Sequence, residues 1–174
     1  MREVHCGGHH TAALTEDGVL YTWGFDDDGR LGHGASGHEL APRIVKALEG
    51  KRVRQVACGC WHSAALTEDG AVYTWGSCKS GQLGQAHKNS VAAPRVVLEG
   101  VGGGVKMVAC GTAHTAALTE SGDLYTWGKH DDGRLGYDAS EDQTTPRLVE
   151  TLKGKTVFQV VCGVYDTAAM TVEA

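Results

Sequence analysis

No apolar run in this chain approaches the roughly 20 residues with which a helix crosses a bilayer. Nor does an apolar segment follow the opening Met1-Arg2-Glu3-Val4-His5-Cys6 to make a secretory leader. No long run of lysine and arginine makes a basic patch obvious, and a net charge of −5 gives no electrostatic reason to engage a nucleic-acid backbone or an anionic membrane surface. Proline is scarce, at three residues, so the 25 glycines lack the companion that collagen-like or disordered sequences carry. Glycine in such excess points instead to many tight turns. These absences lead to the expectation of a cytoplasmic or nuclear protein with no membrane partner and no direct nucleic-acid partner.

What is present is repetition. Cys6, Cys58, Cys110 and Cys162 are spaced by 52 residues, and a glycine follows each. Trp23, Trp75 and Trp127 keep the same interval, as do Pro42, Pro94, Pro146 and Gly32, Gly84, Gly136. Self-similarity at this period is the mark of a repeat architecture. Counting from each cysteine gives units 6–57, 58–109 and 110–161 and a partial unit 162–174. Equivalent positions of neighbouring repeats lie too far apart for disulfides, so all six cysteines are expected as free thiols.

Inside a unit the apolar period is two, the period of strands. Val53–Cys58 alternates as a half-buried strand does, and His62–Thr67 is a strand of small residues whose two alanines allow close approach of another sheet. Glu68-Asp69-Gly70 makes the turn, and residues 71–75 return as a β-branched and aromatic strand. A fourth strand is expected at 94–98, with Pro94 at its first residue where no ladder donor is lost. Four antiparallel strands in about 50 residues make one propeller blade. The fold class expected is all-β: a partial β-propeller of three four-stranded antiparallel blades plus part of a fourth.

The pattern C-G-x-x-H-[ST]-A-A-L-T-E-[DS]-G-x-[LV]-Y-T-W-G followed by G-[RQ]-L-G stands at 58–76 with 81–84, and again at 110–128 with 133–136. It resembles the repeats of the regulator of chromosome condensation family and covers essentially the whole chain. The resemblance implies a propeller, typically of seven blades. Its members include an exchange factor for the small GTPase Ran, a plant UV-B photoreceptor, and modules of ubiquitin ligases and kinases, so it implies no single function.

Several residues invite sharper readings. Cys58-x-Cys60-x-His62, and Cys6 with His9 and His10, suggest metal ligands, but the spacing is wrong for structural zinc. A catalytic Cys–His pair is disfavoured because the pair recurs in each unit and Asp166 replaces the fourth histidine. His10, His62 and His114, with Trp23, Trp75 and Trp127, are therefore read as blade-packing residues, the imidazoles tying loop backbone. The run Asp26-Asp27-Asp28-Gly29 lacks the alternate oxygens of a calcium loop and reads as a solvated turn, with Arg30 and Arg134 pairing locally with such carboxylates. The resemblance to the photoreceptor is not carried through, because Gly8, Cys60, Thr112 and Val164 stand where those members have tryptophan, and Trp61 is one place off. The unbroken spacing also leaves no room for the wedge loop of a Ran exchange factor. No cofactor, metal or catalytic residue is expected.

The loops differ among units while the strands do not, as in Phe25-Asp26-Asp27-Asp28 against Ser77-Cys78-Lys79-Ser80 against Lys129-His130-Asp131-Asp132, and in residues 35–41, 87–93 and 139–145. Variation of this kind marks recognition. The expected function is a non-enzymatic protein-interaction scaffold. Asp26, Asp27, Asp28, Lys79, Lys129 and His130 are the candidate partner-binding loop residues. The alternatives are an exchange factor for a Ran-like small GTPase, with that GTPase as partner, or the targeting module of a ubiquitin ligase or kinase.

Blades hide their faces only against neighbours, so a run of three leaves two apolar faces open. The chain is then a segment of a larger propeller, or copies of it join. Two copies hold more residues than six units need, because 6–15 recurs at 162–171, and two strand pairs would compete at each seam. This favours the segment. In either case the isolated chain is expected to self-associate in sedimentation velocity at micromolar concentration, and a compact monomer there refutes the open faces.

Overall fold

The computed structural model describes residues 1–35 and 37–172. Ser36, within the first variable segment, and residues 173–174, at the end of the partial fourth unit, lie outside the described residues. Period-two patterning becomes strands throughout. The first sheet holds β1 (Glu3–Cys6), β2 (His10–Leu14), β3 (Leu20–Gly24) and β4 (Glu39–Ile44) in sequence order. The second holds β5 (Val53–Cys58), β6 (His62–Thr67), β7 (Val72–Gly76) and β8 (Val91–Leu98). The third holds β9 (Val105–Cys110), β10 (His114–Thr119), β11 (Leu124–Gly128) and β12 (Gln143–Leu148), and β13 (Val157–Cys162) pairs with β14 (Thr167–Thr171) as a two-stranded start of a fourth. All pairings are antiparallel. The chain is all-β and forms part of a propeller. Each sheet begins a few residues before its cysteine, so a boundary drawn at the cysteine cuts between the first and second strands.

The sheets stack face to face. One face of the first sheet, with Ala12, Leu14, Leu20, Val45 and Leu48, packs on Val53, Val56, Ala65 and Trp75 of the second. The equivalent set joins the second to the third through Leu66, Val72, Leu98, Val105, Val108 and Trp127. Every residue of β6 and β10 is buried, because these inner strands are covered on both faces, and their paired alanines set how closely the neighbours approach. The outer faces are different. Val4 on the first sheet is 56% exposed, and Val161 and Met170 on the last are 51% and 52% exposed. Their counterparts Val56, Ala57 and Leu66 are buried.

The prolines do not stand at the first residue of the fourth strand. Pro94 lies inside β8, and Pro42 and Pro146 lie inside β4 and β12. The ladder slips here: in the second sheet it passes from Thr74↔Arg95 to Gly76↔Val91. A proline is accommodated mid-strand because these are the outermost strands and the break in register removes the need for its missing N–H.

Glycine is required where tryptophan enters. Gly32 and Gly84 hold φ of +82° and +72°, and a Cβ on either would stand 2.8 Å from the indole nitrogen of Trp75 or Trp127. Trp75 and Trp127 are fully buried between sheets, whereas Trp23 is half-exposed on the open face of the first sheet. Trp127→Ala is expected to cost about 3–5 kcal/mol, and Trp23→Ala well under half of that, in urea unfolding followed by circular dichroism.

Candidate functional site

The residues that repeat most faithfully build the junctions between sheets. The Arg30 carbonyl accepts the Trp75 indole N–H at 2.8 Å and the Ser63 hydroxyl at 2.9 Å, both from the next sheet. The Gln82 carbonyl receives Trp127 at 2.9 Å and Thr115 at 2.8 Å, and the Arg134 carbonyl receives Thr167 at 2.8 Å. Each hydroxyl also meets the Nε2 of the preceding unit's histidine: His10 with Ser63 at 2.7 Å, His62 with Thr115 at 2.9 Å, His114 with Thr167 at 3.0 Å. A hydroxyl has one hydrogen, and it goes to the carbonyl. Nε2–H must therefore donate, which leaves each Nδ1 unprotonated and without a partner.

The imidazoles thus bridge one sheet to the next; they do not tie their own loop backbone. Burial lowers the pKa of His62 to about 3 and of His10 and His114 to about 4. The charges of Arg30 and Arg134 add to this at His10 and His114, and the two flanking histidines add to it at His62. Cys58, Cys110 and Cys162 are equally inert. Burial pushes the thiols of Cys58 and Cys162 up to about 12, and that of Cys110 well above its ordinary value. A nucleophile needs the reverse shift. All six cysteines are free thiols.

The variable loops gather at one end of the sheets. There they enclose a cleft of about 450 Å³ to which β3–β4, β5–β6, β7–β8, β9–β10, β11–β12 and β13–β14 all contribute. Asp27, Asp28, Lys79 and Lys129 line it. Lys79 reaches back across the junction to Asp28 at 3.7 Å, and Lys129 pairs with Asp131 at 3.0 Å. His130 is outside this cleft, in a neighbouring hollow, where its Nδ1 meets Asp142 at 3.0 Å. Lys88 of the preceding unit also holds Asp142, at 3.2 Å.

Asp26, grouped with these residues on sequence, is not available to a partner. It is 1% exposed, and its carboxylate accepts the backbone N–H groups of Leu31 at 2.9 Å and Gly37 at 3.2 Å. Burial raises its pKa against the effect of those two donors. It is the brace of its loop.

The sequence pairs Arg30 and Arg134 with nearby loop carboxylates, which Arg134 does with Asp132 at 2.9 Å and Arg30 does not, but it does not reveal that both arginines line the cleft. Arg30 and Arg134 are buried, each with its guanidinium under an aromatic ring of the next sheet: Arg30 4.8 Å from the Trp61 centroid, Arg134 5.3 Å from that of Tyr165. Gln82 and Ala113 stand at the equivalent pair of positions between them and line the same cleft. The signal was present, since arginine at the variable site of G-[RQ]-L-G goes with an aromatic before the next histidine or aspartate, and glutamine goes with alanine.

Repeated four-stranded sheets stacked through tryptophan, with a glycine at each indole, match a described family over residues 1–174. The chain belongs to the RCC1-like domain family. It is 44% identical over 170 residues to the human E3 ubiquitin-protein ligase HERC2, covering 97% of this chain and 4% of that protein. It is 37% identical over 171 residues to the ultraviolet-B receptor UVR8 of Arabidopsis thaliana, covering 98% of this chain and 39% of the receptor. The fold superposes on Prp20p of Saccharomyces cerevisiae, whose structure was described with its binding properties to Gsp1p and histones. The TM-score is 0.85 at 23% identity, over 99% of this chain and 44% of that one. The chain therefore spans a minor part of each of these relatives, and the last likeness concerns fold alone.

The RCC1-like junctions make stability depend on pH. Unfolded histidine takes up a proton near pH 6.5, and these three resist it until about pH 4 or 3. The unfolded chain then binds more protons in this window, so stability is complete above pH 6.5 and lost as pH falls toward 4. The expected slope is about 1.4 kcal/mol per pH unit for each histidine. Urea unfolding between pH 7.5 and 4.5 measures it, and His62→Gln should remove one histidine's share of the slope.

Proposed function

We propose that this chain is a non-enzymatic protein-binding segment of a propeller, and that the loop end described above is its contact surface. The observation that supports this most directly is the division of labour within each unit. The repeated histidines, tryptophans and hydroxyls serve the junctions, while Asp27, Asp28, Lys79 and Lys129, at positions that differ among units, line one cleft. A flat or convex end with identical loops would give no reason to expect a specific partner, whereas a concave surface of mixed charge on a rigid scaffold gives one. Cys58, Cys110 and Cys162 and the three repeated histidines are held thiol and neutral in the packing, which argues against a catalytic or metal-centred reading of them. We place the protein in the cytoplasm or nucleus, where its free thiols would be maintained.

A second reading draws on the 44% identity to HERC2. In it the chain is the recognition part of a larger ubiquitin ligase, selecting a protein that another domain modifies. Exchange activity on a small GTPase has weaker support, since the likeness to Prp20p is one of fold.

The charge-reversed double variant Lys79→Glu/Lys129→Glu tests the surface. Both side chains are exposed at the cleft rim and make only surface ion pairs, none of the buried junction bonds, so stability should shift by less than about 1 kcal/mol. Protein partners captured by the wild-type chain and identified by mass spectrometry should be lost by the variant. Retention of the same partners would move the contact surface elsewhere.

A further inference from the structure

Arg30 is fully buried and incompletely satisfied. Its Nε donates to the Asp27 carbonyl at 3.0 Å, its Nη1 reaches the Cys60 carbonyl at 3.4 Å, and its Nη2 has no hydrogen-bond partner. Nor does it have an ion-pair partner among the described residues. The repeat shows what is missing. At the equivalent place Arg134 is paired with Asp132 at 2.9 Å. The counterpart of Asp132 is Asp28, and Asp28 is turned instead to Lys79. Asp26 feels the guanidinium's charge, but its oxygens are committed to Leu31 and Gly37.

A desolvated guanidinium without a carboxylate is costly. Here it is held between two ring faces, Trp61 at 4.8 Å and Phe25 at 5.3 Å, which offset part of that cost. Both rings are themselves 38% exposed, and they form a patch with His9, 5.4 Å from Trp61, and His38, stacked on Phe25 at 4.4 Å. Tryptophan over arginine at the edge of a cleft is the composition of an interface anchor.

We propose that Arg30 receives a carboxylate side chain of the protein partner, taken in as the Trp61 indole shifts from above the guanidinium. This deepens the reading of the cleft as an interaction surface and rests on it. The occupant follows from the charges present. The lining carries Arg30, Lys79, Lys129 and Arg134 against Asp27 and Asp28, a surplus of positive charge that favours an anionic segment. The two rim aspartates make a singly charged carboxylate a better occupant than a phosphate dianion. A free guanidinium nitrogen beneath an aromatic ring suits an aspartate or glutamate beside an apolar residue. The charge is also felt inside the fold, where it adds to burial in depressing the His10 pKa to about 4.

Fluorescein-labelled hexaglutamate, followed by anisotropy on the full chain, tests the proposal beside a hexaglutamine peptide and a labelled oligothymidylate. Arg30→Gln is the diagnostic variant, because glutamine already occupies the equivalent position 82 and the indole and hydroxyl of the next sheet bond only the backbone carbonyl. An unchanged circular dichroism spectrum and melting curve establish that it folds. Hexaglutamate should bind, hexaglutamine should not, and Arg30→Gln should weaken binding about tenfold or more. Trp61→Ala, which uncovers the guanidinium, should retain binding. Equal affinity for wild type and Arg30→Gln, no hexaglutamate binding, or preference for the oligothymidylate overturns the proposal. If partner capture is lost in the Lys79/Lys129 double variant but hexaglutamate binding ignores Arg30, the interaction surface stands and this assignment falls.

Discussion

One backbone carbonyl per unit holds this architecture together. The carbonyls of residues 30, 82 and 134 each project out of one sheet and receive a donor from the next, from an indole and a hydroxyl at the first two junctions and from a hydroxyl at the third. Each such bond contributes only about 1 kcal/mol net. Their weight lies in position: they sit inside the interface, where leaving a donor unsatisfied costs more than making the bond gains. A residue inserted between tryptophan and its acceptor would move the whole following sheet relative to the carbonyl it must reach. The constant 52-residue interval is the sequence record of that constraint, and nearest-neighbour coupling of this kind is what a stacked-repeat protein depends on.

The same junctions settle the fate of the chemically suggestive residues. A histidine locked as the Nε2–H tautomer, with its other nitrogen facing no donor, is a poor base and a poor ligand at neutral pH. A cysteine whose thiol is pushed up to about 12 by burial is a small apolar residue for practical purposes. The recurrence of the histidine in the three complete units follows from packing, since each makes the same bond to the next unit's hydroxyl. Reactivity would require one of them to open to solvent, and His10, His62 and His114 are all buried.

The fold was legible because strand alternation, turn glycines and the repeat interval are all local in sequence or periodic in it. Relations across a junction were harder to read. The hydroxyl that follows each histidine is visible in the motif, but that it serves the previous unit's histidine requires knowing which face of the strand meets which neighbour. The mid-strand prolines were misplaced because their tolerance depends on an edge strand and a slipped register, neither of which has a local signature. Asp26 was grouped with Asp27 and Asp28 on composition alone. Three consecutive aspartates look equivalent, yet the turn directs the first inward onto the N–H groups of Leu31 and Gly37 while Asp27 stays exposed and Asp28 meets Lys79.

Position 30, with its copies at 82 and 134, shows how one residue serves both scaffold and surface. Its carbonyl makes the indole and hydroxyl bonds of the junction, and every residue type supplies a carbonyl, so those bonds leave the side chain free to differ. It is arginine, glutamine and arginine in turn. The partners across the interface have no such freedom, because only an indole and a hydroxyl deliver the donors, and they stay Trp75 and Trp127, Ser63, Thr115 and Thr167. Variation is thus channelled to a side chain that the backbone places at the edge of the cleft, and the position before the next histidine or aspartate varies with it: Trp61 with Arg30, Ala113 with Gln82, Tyr165 with Arg134. The guanidinium needs a ring to lie against when it leaves water, and the shorter amide does not. A repeat protein built on backbone acceptors can therefore change what its loops recognise, one unit at a time, without disturbing how its sheets stack.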